Sequence, residues 1–147
     1  DQTVAYILVA RKHFEDLRQV AAQLAGLLVL MAAGGKSATP DHPMLDAAVR
    51  LHISASDGIR NSRATSRARA HHECLSRSSA ALERALSAAR THLGRSHEIN
   101  SILTPLQAAY AQLRLASAEL PGFETISFDQ ACCAPRAQPC SEVVIAK

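Results

Sequence analysis

Residues 4–31 read VAYILVARKHFEDLRQVAAQLAGLLVLM. Within them Ile7, Ala10, Phe14, Leu17, Ala21, Leu24, Leu28 and Met31 recur at alternating steps of three and four. That spacing lays one apolar stripe along one α-helix. The stretch predicts a helix from about Thr3 to Ala33, ending at Gly34-Gly35 where left-handed backbone is easiest. At 1.5 Å per residue it spans about 45 Å. Towards its end Leu24, Leu27, Leu28, Val29, Leu30 and Met31 leave no polar side. A helix apolar all round must be covered all round, so Leu24, Leu27, Leu28, Leu30 and Met31 are expected to meet a second copy of the chain or the C-terminal tail.

Three further stripes follow. Leu45, Ala48, His52, Ala55 and Ile59 mark a second helix, expected to start around Asp41 to Pro43 with Asp41 as cap. Leu75, Ser79, Leu82, Leu86, Ala89 and Leu93 mark a third, with His72 on the same stripe and Gly94 as its stop. No glycine or proline separates these two. Continuing the earlier stripe past Ser62 would bury Glu73 and Ala80 rather than Leu75 and Leu82, so the phase slips and a tight turn is expected around Ala64 to Ala68. Thr104-Pro105-Leu106-Gln107 reads as a helix start, with Leu106, Tyr110, Leu113, Ser117 and Leu120 facing inward and Pro121-Gly122 closing the element. Ile99, Ile102 and Leu103 extend that stripe upstream.

Four helices with short connections predict an all-α, up-down-up-down four-helix bundle over residues 1–122. An irregular, partly extended tail over 123–147 is expected to pack on it. Composition agrees: 147 residues make one domain, 48% are hydrophobic, much of that alanine and leucine, and only 3% are aromatic. No membrane span is expected, because the apolar run from Val20 to Ala33 is short of about 20 residues and holds Gln23.

The chemistry is sparse. Nucleophile elbows, dinucleotide fingerprints and paired catalytic carboxylates are absent. Gly35-Lys36-Ser37 lacks the upstream glycine, strand and following helix of a phosphate loop. A carboxylate-bridged di-metal centre needs Glu three residues before His on two helices, and no histidine here has one. The bundle topology does gather His71, His72 and Cys74 at the pole from which the tail departs. Cys132 or Cys133 could return there and complete a site for zinc or another transition metal, a redox pair, or a disulfide. Adjacent cysteines suit structural zinc poorly, and inert thiols or a pairing with Cys140 are equally natural readings. His52, alone on an apolar stripe, reads as a hydrogen-bonded core histidine.

Residues 60–95 carry eight arginines against Glu73 and Glu83 in a chain of net charge +3. They contain no aromatic residue, so nucleic acid is disfavoured as a partner, and a solvated face or an acidic protein partner fits better. The sequence therefore predicts a non-enzymatic helical bundle acting through self-association or a protein partner, with a metal- or redox-responsive protein as the alternative.

Overall fold

The computed structural model describes residues 2–124. The described residues form an all-α, up-down-up-down bundle of four helices: α1 (Gln2–Ala32), α2 (Pro43–Asn61), α3 (Arg69–His92) and α4 (Ile99–Glu119). Short 3-10 turns, Ser66–Ala68 and Ser96–Glu98, lead into α3 and α4. Contacts at the two poles fix the directions of α1, α2 and α3. The Gly94 amide donates to Met31 Sδ at 3.2 Å, joining the ends of α1 and α3. At the other pole the hydroxyls of Thr3 and Thr65 are 3.0 Å apart.

The stripes become the core. From α1, Tyr6, Ala10, Phe14, Leu17, Val20, Ala21, Leu24, Leu27, Leu28 and Met31 are buried. They meet Leu45, Ala48, His52, Ala55 and Ile59 of α2 and the alanine- and leucine-rich inner face of α3. Each large apolar side chain so covered contributes roughly 1.5–3 kcal/mol. Gly34 and Gly94 stop α1 and α3 in left-handed backbone (φ +75° and +91°), as their positions in the sequence suggest. The phase slip is real: α2 ends at Asn61, Leu75 and Leu82 are buried, and Glu73 and Ala80 are exposed.

Several local expectations are corrected. Residue His42, not Asp41, caps α2, its Nδ1 accepting the Met44 amide at 3.1 Å directly before Pro43. Helix α4 starts at Ile99 rather than at Thr104, and Pro105 lies inside it. Burial of Ile102 together with Leu106 extends the stripe by a turn and outweighs the cap chemistry of Thr104. On α4 the inner face is Ile102, Leu106, Ala109, Leu113 and Ala116, so Tyr110 moves to the flank. On α3 the buried histidine is His71, one turn before Leu75, while His72 is only half-buried.

The apolar end of α1 is covered largely by the chain itself. Leu24 and Leu27 are wholly inaccessible and Leu28 and Met31 nearly so, while Leu30 is 38% and Val29 67% exposed. The tail beyond Glu124, with Cys132, Cys133 and Cys140, lies outside the described residues. No described helix is long and apolar enough to cross a membrane.

Candidate functional site

Two regions of the described bundle carry features beyond simple packing. The first is the seam between α1 and α4. These neighbours touch less extensively than α1 with α2 or α3 with α4. Small residues are the reason on one side: Ala25 and Ala32 of α1 line the seam and cannot reach across it. The result is a groove of about 350 Å³, floored by Leu28 and Leu106, with Val29 on one wall and Leu103, Gln107 and Tyr110 on the other. Its surface is almost entirely apolar. Along α1 towards Ala22 and Gln19 the seam turns polar at Glu15, Asp16 and Arg18, with Tyr110 at the junction. Those charges are neutralised on their own helix, Lys12 on Asp16 at 2.6 Å and Arg18 on Glu15 at 3.0 Å.

The second region is the pole where α1 begins and α3 starts. His71 is completely buried, and its Nδ1 lies 2.9 Å from the Tyr6 hydroxyl. Its Nε2 has no hydrogen-bond partner among the described residues. The Phe123 ring packs 4.1 Å from the His71 ring and 5.3 Å from Phe14, capping the core after α4 ends. Gly122, at φ +93°, makes that turn, and its amide donates to both carboxylate oxygens of Glu124 at 2.9 Å. The hydrogen bond holds the Glu124 carboxyl below its usual range. Burial, helped by the neighbouring His72, pushes the His71 imidazole down to about 4 and burial raises the Tyr6 phenol to about 12. Both are neutral near pH 7.

Of the residues expected to hold a metal, His71, His72 and Cys74 do share the first turns of α3. Their chemistry is otherwise engaged. His71 Nδ1 is committed to Tyr6, and His72 Nδ1 lies 3.4 Å from the Ser62 hydroxyl. Cys74 is a buried free thiol, pushed up by burial and then by the Glu119 carboxylate, which disfavours the thiolate that a metal or a redox step requires. Among the described residues no three histidine, cysteine, aspartate or glutamate side chains converge on a metal-sized site. Cys132 and Cys133, which that reading also needs, lie outside the described residues.

His52 is the core histidine its spacing indicates. Its Nε2 lies 2.9 Å from the Ser79 carbonyl and 3.1 Å from the Ser79 hydroxyl, tying α2 to α3. His13 packs in an arrangement sequence reading missed: a Cβ on Gly58 would fall 2.0 Å from His13 Cε1, so the ring occupies the space that glycine leaves. The signal was the single glycine inside α2, where helix propensity alone would avoid it. No protein-family model matches this chain, and neither curated proteins nor solved structures provide a match.

Proposed function

We propose that this chain is a non-enzymatic helical module that works by association, with a second copy of itself seated in the α1–α4 groove. One observation carries the reading: an almost wholly apolar groove with Val29 standing 67% exposed at its wall. Apolar surface of this kind is favourably removed from water, about 1.5–3 kcal/mol for each large side chain fully buried. The walls carry no charged residue, so two copies of the same surface can face each other without burying an unpaired charge. Ala25 and Ala32 let a helix backbone approach closely. The contact region is the same end of α1 that its sequence singles out, carried by Val29, Ala25 and Ala32 beside Leu28 rather than by Leu24, Leu27, Leu30 and Met31.

Sedimentation of the full chain across a range of concentrations tests this. A mass that rises with concentration, and a Val29→Asp variant that stays monomeric with unchanged helicity, are the expected results. A concentration-independent monomer mass for the unmodified chain overturns self-association.

A further inference from the structure

A different surface, independent of the α1–α4 groove, sets exposed arginines beside an uncharged, partly apolar bank. Between Asp57 and Glu73 the chain holds Arg60, Arg63, Arg67 and Arg69 and no carboxylate. Three helical arginines are answered on their own helix: Arg18 by Glu15, Arg60 by Asp57 and Arg77 by Glu73. Arg63, Arg67 and Arg69 are exposed and have no ion-pair partner among the described residues. They sit on the α2–α3 connection and the first residue of α3, and Glu73, one turn after Arg69, pairs with Arg77 instead.

This connection forms one bank of a groove of about 520 Å³. Arg63, Ala64 and Thr65 lie on that bank, and Ala5, Tyr6 and Val9 of α1 form the other. The α1 bank is uncharged, since no residue from 2 to 10 is ionisable except the buried Tyr6. It is also apolar on its outer side, with Val4, Leu8 and Val9 all more than half exposed. Apolar residues so exposed on the first two turns of α1, with Val9 sharing a groove with the unpaired Arg63, are poorly explained as a solvated face.

We propose that this groove docks an acidic amphipathic peptide segment of a partner protein. Its apolar side chains enter between Ala5, Val9 and Ala64. Its carboxylates pair with Arg63 at the groove and with the exposed Arg67 and Arg69, which follow Thr65 of that bank in the chain, where the planar guanidinium offers two parallel donors to a carboxylate. Charge complementarity selects the partner's sign, and the apolar bank selects a peptide over a simple polyanion. A nucleic acid would ask for aromatic stacking between the arginines, and residues 58–72 contain none. A bilayer cannot enter a recess between two helical elements.

The test uses the full chain and a labelled helical peptide with leucines at three-four spacing flanked by glutamates, followed by fluorescence anisotropy. A matched peptide with lysines in place of the glutamates, a single-stranded oligonucleotide and phosphatidylserine vesicles are run beside it. The acidic peptide is expected to bind, to weaken about tenfold or more at about 1 M salt, and to weaken at least as much in R63E/R67E and in Val9→Asp. Val29→Asp is expected to leave this binding unchanged, which separates the result from the fate of the α1–α4 groove. Circular dichroism of R63E/R67E should match the unmodified chain, since both arginines are exposed. Failure of the acidic peptide to bind, equal binding of the acidic and lysine peptides, or preferential binding of vesicles or oligonucleotide overturns the proposal.

Discussion

The Tyr6 hydroxyl lies 2.9 Å from Nδ1 of His71, joining α1 to α3 inside the core, and both residues are almost fully buried. Either tautomer of the imidazole satisfies Nδ1 and leaves Nε2 unpartnered. Removing the phenol by Tyr6→Phe would orphan the second nitrogen too. An unsatisfied buried polar group costs about 1–3 kcal/mol. Tyr6→Phe is therefore expected to lower the unfolding free energy by that amount, read as a fall in the urea midpoint at unchanged m-value, and an unchanged midpoint would contradict the buried hydrogen bond.

The same pair makes stability depend on pH. Burial holds the His71 imidazole at about 4 in the fold against 6.5 in an unfolded chain. Between those values the unfolded state binds the proton and the folded state does not, so stability rises with pH across the window. It is complete above about pH 6.5 and declines as pH falls towards 4, by roughly 3 kcal/mol in all. His13, lowered by burial and by Lys12, acts in the same direction. Denaturant unfolding between pH 7 and 5 should show this decline, and His71→Gln should flatten it.

Gly58 and His13 make a coupled pair. A Cβ at Gly58 collides with the His13 ring, at 2.0 Å from Cε1. Alanine would otherwise gain about 0.5–1 kcal/mol in a helix interior over glycine. Gly58→Ala is expected to destabilise the native chain, yet to stabilise a His13→Ala background by about that propensity gain. A thermodynamic cycle with no coupling between the two sites would refute the contact.

Pro105 sits inside α4, where it removes a backbone donor and crowds the preceding turn. Pro105→Ala is expected to raise stability by about 1–3 kcal/mol, the lower end applying where the turn has already relaxed. Thermal unfolding followed by circular dichroism reads this directly, and a fall in melting temperature would show the proline to be serving the fold.

Leu27 and Val29 lie two residues apart on α1 and should respond oppositely to charge. Leu27 is wholly buried and Val29 is 67% exposed. Leu27→Asp places a carboxylate in the core and should unfold the chain rather than dissociate an oligomer. Val29→Asp should leave the unfolding free energy of the monomer within about 0.5 kcal/mol of the original and act on association alone.

Much of this architecture was legible in the residues themselves. The helical period assigned the core positions of α1 and α2, glycines 34 and 94 marked two ends, and the slip in phase between Ser62 and Leu75 separated α2 from α3. The up-down order followed, because short connections leave antiparallel neighbours as the simplest packing. The isolated histidine at position 52 was correctly read as a core hydrogen-bonding group. Periodicity reports the angle at which a side chain leaves a helix, and these features depend on that angle alone.

What only the tertiary structure decided are matters of how wide an arc each neighbour covers. The sequence of α1 ends in apolar residues on every side, and nothing in it says that three other helices bury Leu24, Leu27 and Met31 while leaving Val29 out. His71 and His72 are adjacent, and a rotation of one residue places the first in the core and the second at its edge. Cap chemistry at Thr104 yields to burial of Ile102, since a cap is worth about 0.5–2 kcal/mol and a buried isoleucine up to about 3. The two grooves exist because small residues on α1 and the α2–α3 connection leave space between elements far apart in sequence, and such space belongs to the packing rather than to any single segment.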